Sequence, residues 1–486
     1  MKQSKDGLLF LGICLALGIL AEISFFHGAI GIAYPVFIAV FYTVVFYRIG
    51  LSFTHRRIGI LLMVVIWILS ASYLFFDNIF FYLLNSLMIP VLVFAHIVLI
   101  TAPNHMKWSS IQFLNLFIQK IARAFSYSTR LVKVLFRRLF KQMKDETALL
   151  VKRIIIGLLI GLPLLLFITV LLMSADAVFG DMMMEVPEFI LDLNFLEGFF
   201  RSLVALFLML VFFGVFQVLH KRYIPPVVHS FKEKKKAVRW DHVIAATILI
   251  LLNSIYLLFV VIQFKYFFGD ALQGDYTYAE HARRGFFELV FVTMMNWSLL
   301  IICLKFVKAT KRSADYFMKV MYSLLIMASG VMLISAYQRL SMYEAAYGFT
   351  MDRILAHTFM LFLIVIFAYT FIRVWLEGIS LLHFYVIAGL LFYTALNAIN
   401  LEKMIVDNNL ERFEESNKID IYYLNSLSYS GIEGLITLYE KDPNYPDLRM
   451  ILQDRKQMIE NINLDTWQSF NFKKHKVVKR LQELEL

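Results

Sequence analysis

The stretch Ile79–Ile100, IFFYLLNSLMIPVLVFAHIVLI, contains no Asp, Glu, Lys or Arg. About 20 such residues, wound as a helix, cross the roughly 30 Å hydrocarbon core of a bilayer with every backbone amide paired inside the segment. Runs of the same kind recur on both sides of it. The predicted spans are Gly7–Phe25, Ala29–Tyr47, Ile58–Phe76, Ile79–Ile100, Ile154–Met173, Phe199–Leu219, His242–Phe264, Gly285–Leu304, Phe317–Tyr337, Ile354–Trp375 and Ile379–Asn397. Composition agrees. Of 486 residues 60% are hydrophobic and only 17% charged, against about 25% charged in a soluble domain. The fold class expected is all-α: a polytopic transmembrane helix bundle of these spans with a small C-terminal extracytoplasmic helical domain.

The N-terminus imitates a secretory signal, with Lys2 and Lys5 ahead of the apolar run Leu8–Leu20. Ala21-Glu22-Ile23 is a poor cleavage site, so the run reads as an uncleaved first span. Residues 1–106 then hold spans one to four, 107–153 a cytoplasmic basic amphipathic helix, 154–399 spans five to eleven, and 400–486 the C-terminal domain. In that last part Leu424 and Leu427, then Ile432, Leu435 and Ile436, then Leu448, Ile451 and Leu452 recur at helical spacing. Ser430-Gly431 and Asp442-Pro443-Asn444-Tyr445-Pro446 separate them as turns. A packing or interaction module, and with it an envelope protein as partner, is expected there.

Cytoplasmic connections retain Lys and Arg. One register gathers Lys2 and Lys5; Arg48, Arg56 and Arg57; Lys107 to Arg153; Lys221 to Arg239; Lys305 to Lys319; and Arg373 on a single side. It places the N-terminus inside and the C-terminus outside, in a multi-pass protein of the cytoplasmic membrane. The connection from Ser174 to Glu197 fits an outer position, since Asp176, Asp181, Glu185, Glu188, Asp192 and Glu197 face no base there. Lys265, Arg283, Arg284, Arg339 and Arg353 also fall outside, each accompanied by acids. The net charge of +11 therefore belongs to membrane-proximal loops, and nucleic acid is not an expected partner.

No acid interrupts the chain from Lys107 to Lys144. Lys120, Arg123, Arg130, Arg137, Lys141 and Lys144 recur at helical spacing, while Leu114, Ile118, Ile121, Phe125, Leu135 and Leu139 fall largely on another face. Such a helix lies in the membrane interface. The anionic lipids of the inner leaflet are the expected partners of Lys120, Arg123, Arg130, Arg137 and Lys141, at about 1 kcal/mol per basic group.

Familiar chemistries are missing. Cys14 and Cys303 sit in apolar runs, with no CxxC or Cys/His cluster to suggest a disulfide or metal. There is no Walker A loop, HExxH, nucleophile elbow or dinucleotide glycine pattern. His27, His96 and His357 each stand alone. No catalytic residue, metal or cofactor is assigned.

Three polar constellations remain. They are Ser174-Ala175-Asp176-Ala177-Val178-Phe179; the run from Gln263-Phe264-Lys265 through Tyr278-Ala279-Glu280-His281-Ala282-Arg283-Arg284-Gly285 to Glu288-Leu289; and Gln338-Arg339-Leu340-Ser341-Met342-Tyr343-Glu344-Ala345-Ala346-Tyr347-Gly348-Phe349-Thr350, ending at Asp352-Arg353. With these residues the sequence resembles a bacterial family of membrane proteins defined as a domain of unknown function (the 4153/4173 group). The stretch from Asn400-Leu401-Glu402 through Asn409-Leu410-Glu411-Arg412 to Asp420-Ile421-Tyr422-Tyr423-Leu424 has a counterpart in the same pattern. The likeness covers roughly Arg153 to Leu438, and YAEHARRGFFEL is its most specific part. It implies an architecture and no activity.

Glu280, Arg284 and Glu288 follow at four-residue intervals and share a helix face, with Arg283 beside it. Arg339, Tyr343 and Tyr347 do the same, with Glu344 adjacent. Unpaired charge at a membrane boundary is costly. Glu280, Arg283, Arg284 and Glu288 are therefore expected to meet Arg339, Tyr343 and Glu344 in one outer polar cluster. It would be either an ion-pair ladder locking two helices or a ligand site with arginines as carboxylate or phosphate donors. The first function expected is a non-enzymatic envelope protein that senses or scaffolds. A transporter of a small anion or lipid is the second. A membrane enzyme acting on lipid-linked substrates, with Glu280, Glu288 or Glu344 as base, is the third.

Overall fold

The computed structural model describes residues 2–26, 28–50, 54–139, 194–220, 240–268, 285–307, 311–461 and 466–486, with scattered residues between 147 and 182. In chain order the helices are α1 (Lys2–Phe26), α2 (Ala33–Ile49), α3 (Arg56–Phe75), α4 (Ile79–Ile100), α5 (Ile111–Leu139), α6 (Asn194–His220), α7 (His242–Phe268), α8 (Phe286–Phe306), α9 (Arg312–Tyr347), α10 (Met351–Trp375) and α11 (Leu381–Ala398). Then come α12 (Leu401–Ser416), α13 (Ile421–Ser426), α14 (Tyr429–Lys441), α15 (Leu448–Asn461) and α16 (Phe472–Glu483). Among the described residues there is no strand beyond one bridge between Trp240 and Val307.

Nine of the described helices are long and apolar enough to cross a membrane. The chain is an all-α, polytopic membrane protein. The second predicted span matches the shorter α2, of 17 residues. The fifth, Ile154–Met173, falls where only scattered residues are described. Helix α9 outruns its prediction, reaching 36 residues, or about 54 Å. No Gly or Pro interrupts it between Tyr337 and Gly348, where φ turns to 86° and the helix stops.

The chain divides into two compact units. The first holds α1, α2, α5, α6, the start of α3, the end of α4 and residues 466–470. Phe10 meets Phe213 and Phe216 at ring distances of 5.7 and 6.0 Å, and Phe41 meets Phe212 at 5.8 Å. Gly18 lets α1 approach α6 closely, since a Cβ there would stand 2.5 Å from the Ala205 carbonyl oxygen. In the same interface Arg201 Nε donates to Glu22 Oε1 at 2.8 Å.

Helix α5 has three faces. Leu116, Lys120, Ala124 and Ser128 follow at four-residue intervals toward protein: Lys120 Nζ donates to Thr101 Oγ1 at 2.8 Å, and Ser128 Oγ to the Leu210 carbonyl at 2.7 Å. Ile111, Leu114, Ile118, Ile121 and Phe125 form a second, exposed apolar face. Arg123, Arg130 and Arg137 form a third, also exposed. Lys120 is thus corrected from a lipid contact to a buried residue, and burial pushes its ammonium down to about 8. The packed stripe, not charge periodicity, decides its side. Lys141 lies outside the described residues.

The second unit holds α7 to α16, the end of α3 and the start of α4. The amides within its spans serve as interhelical ties. Tyr256 OH donates to Asn296 Oδ1 at 2.9 Å, Asn296 Nδ2 donates to Ser329 Oγ at 3.0 Å, and Ser335 Oγ donates to Gln263 Oε1 at 2.8 Å. After α11 the helices share a core of Leu424, Ile432, Leu435, Ile436, Leu448, Ile451, Leu452, Val477 and Leu481, with Leu427 partly buried beside it.

Candidate functional site

The far end of α9 carries two different arrangements. Arg339 and Glu288 line a pocket of about 330 Å³ with Tyr256, Phe259, Gly285 and Met332. Gly285 adopts φ 88° at the start of α8, and a Cβ there would stand 3.1 Å from Arg339 Nη1. Glycine therefore allows the guanidinium to lie against the backbone. The pocket is mostly apolar with charge of both signs at its edge, the usual form of a small-ligand site.

Glu344 faces elsewhere. It ends the buried stripe Leu333, Ala336, Leu340, and its Oε2 lies 3.1 Å from His357 Nδ1 on α10. His357 Nε2 is 3.3 Å from the Tyr337 carbonyl oxygen. Oε1 of the same carboxylate has no hydrogen-bond partner among the described residues. Tyr343 packs on Tyr347 at 4.8 Å, and Arg353 lies 4.4 Å over the Tyr343 ring.

The turn that follows is gripped by the C-terminal helices. Asn409 of α12 accepts from Phe349 N and donates to the Phe349 carbonyl, both at 2.9 Å. Arg412 donates to the carbonyls of Ala345 and Ala346 at 3.0 and 2.6 Å, capping the end of α9. Tyr423 OH accepts from Met351 N at 2.8 Å. Gly348 is required here, because a Cβ would meet Asn409 Oδ1 at 2.6 Å. Replacing Asn409 by Ala strands both polar groups of Phe349, and a loss of about 1–3 kcal/mol is expected. It is measured as a lower unfolding midpoint of the full chain in detergent. An unchanged midpoint would show that solvent substitutes for the amide.

A third cluster joins residues far apart in sequence. Asp77 lies between α3 and α4, and Glu402 opens α12. Burial pushes the Glu402 carboxyl up to about 7, with Asp77 raising it further and Ser428 and Lys473 opposing. Burial pushes Asp77 up to about 6, opposed by Lys474. Ser428 Oγ donates to Glu402 Oε2. Asn471 Nδ2 donates to the carbonyls of Tyr73 and Phe76 at 2.8 and 2.9 Å, tying α16 to the end of α3. Raised carboxyls are what catalytic acids require. The cavity beside Glu402, lined by Asn78, Asn397 and Asn400, measures about 20 Å³. That is the room of a single water.

The expected cluster is therefore brought together in part. Glu288 and Arg339 share a pocket; Tyr343 and Glu344 belong with Arg353 and His357. Glu280, Arg283 and Arg284 lie outside the described residues. Asp77 carried no sequence signal. Glu402, Asn409, Arg412 and Tyr423 were visible only inside the family pattern. His357 stood alone in sequence because its partner, Glu344, sits on the preceding helix.

A family model described as a domain of unknown function, DUF4153, matches residues 63–438. That range takes in both acids and the gripped turn. No curated protein and no solved structure matches the chain.

Proposed function

We propose a role from one premise: the chain belongs to the DUF4153 family, defined by a domain of unknown function. The role is that of a non-enzymatic envelope protein whose C-terminal helices sense or scaffold at the outer face and are coupled to the bundle through the end of α9. One observation carries the reading. Arg339 lines the pocket, and about two turns further on Arg412 caps the same helix while Asn409 holds Phe349 just past its end. A ligand edge and an interaction module thus share one rigid element. The small cavity at Glu402 speaks against a lipid-linked substrate reacting there.

The test is hydrogen exchange on the full chain in nanodiscs. Arg339→Gln is expected to change protection both in α8–α9 and in Leu401–Lys441. A change confined to α8 and α9 would defeat the coupling, and substrate flux or turnover by proteoliposomes would put a transporter or enzyme in its place. Orientation is checked alongside with an impermeant thiol reagent, the native Cys14 and Cys303 being buried. Asn444→Cys is expected to label in intact cells and Lys311→Cys is not; the reverse would move the whole site to the cytoplasm.

A further inference from the structure

At the opposite end of α9 lies a pocket of about 370 Å³. It is lined by Asp315, Lys319 and Tyr322 of α9 and by Arg373 and Glu377 at the end of α10, over apolar residues such as Leu304. Lys319 Nζ sits 2.9 Å from Asp315 Oδ2 and 2.7 Å from Glu377 Oε1. One ammonium between two carboxylates leaves a negative charge in excess. Arg373 supplies the balancing positive charge on the same pocket, yet among the described residues it makes no ion pair or hydrogen bond. The charges are separated rather than cancelled. The site holds unused guanidinium donors and unused carboxylate lone pairs.

Its level in the membrane is marked. Tyr316 and Trp375 are exposed, with rings 5.9 Å apart, and Trp375 Nε1 donates to Ser323 Oγ at 3.1 Å. Anchored aromatic residues of this kind sit at headgroup depth. Lys305, Lys311 and Arg312 collect at the same end. A net-neutral pocket with both signs exposed matches a zwitterion better than an anion, which would face two carboxylates.

We propose that this pocket binds the phosphoethanolamine headgroup of a membrane lipid, with the phosphodiester on Arg373 and the primary ammonium on Glu377. Phosphocholine lacks the N–H donors for the carboxylate. Phosphoglycerol lacks the cation altogether. Choline loses the hydrogen bond to the carboxylate and glycerol loses the cationic donor, so a preference of about tenfold for the ethanolamine lipid is expected.

The experiment is native mass spectrometry of the full chain titrated with ethanolamine, choline and glycerol phospholipids of identical acyl chains. The expected result is selective retention of the ethanolamine lipid, lost by about tenfold in Arg373→Gln. Glu377→Gln is expected to erase the discrimination against phosphatidylglycerol. Among the described residues Arg373 makes no ion pair or hydrogen bond, so its variant should keep the unfolding midpoint measured without added lipid. Equal retention of all three lipids, or an unaffected Arg373→Gln, overturns the proposal. Glycerophosphoethanolamine, added free at the lipid's concentration, separates the two sources of this chemistry. Displacement assigns the zwitterion site to a soluble phosphodiester, and failure to displace assigns it to the lipid.

Discussion

Amide protection across Leu401–Lys441 is expected to rise as the pH is lowered from 7.5 to 5, after correction for intrinsic exchange. The cause is Asp77 with Glu402, pushed up to about 6 and about 7 by burial. Each carboxyl binds its proton more tightly in the folded chain than in the unfolded one, where the value is near 4. The contribution to stability is therefore greatest below about pH 4 and declines as pH climbs through both folded values. The groups facing the pair are Lys474, Lys473, Ser428, Tyr423 and Tyr429. Two lysines do not restore the ordinary range because desolvation is the larger effect at both acids. A shift of this size corresponds to something on the order of 3 kcal/mol, roughly a hundredfold in protection. Glu402→Gln is expected to raise protection at pH 7.5 and to flatten the profile. A profile that stays steep in the double variant Asp77→Asn, Glu402→Gln would assign the pH response to other groups.

Arg201→Ala is expected to lower the stability of the first unit by about 3 kcal/mol, at the low end for breaking a buried pair. Glu22 has a side chain only 5% exposed, whereas Arg201 is 37% exposed. Loss of the guanidinium leaves the carboxylate between α1 and α6 without its charged partner. The double variant Glu22→Gln, Arg201→Ala should recover most of the loss, because the uncompensated charge is gone. Unfolding midpoints of the full chain in detergent provide the measurement. Equal losses in the single and double variants would mean that packing by the arginine stem, not charge, holds the interface.

The helices themselves were legible because a bilayer imposes a one-dimensional rule. A run such as Ile79–Ile100 with no charge can be read residue by residue, as can the stripes Ile432, Leu435, Ile436 and Leu448, Ile451, Leu452, which all end in one core. Lys120 was misplaced by the same kind of reading. Charge periodicity described α5 as two-faced, and the stripe from Leu116 to Ser128 adds a third face that only packing against Thr101 and Leu210 reveals.

The polar residues follow a different logic. Their spacing established that Arg339, Tyr343 and Tyr347 share a face and that Glu344 stands beside it, which depends on helix geometry alone. Which neighbour each one meets depends on distance through space. Glu344 turned to His357 on α10 and Glu288 to the pocket with Arg339. Asp77 and Glu402, hundreds of residues apart, acquired their raised values from a shared buried site. Local composition, summed along the chain, specifies helices and a membrane. Electrostatic pairing and desolvation are set by neighbours brought close in the fold, and no spacing along the chain encodes them.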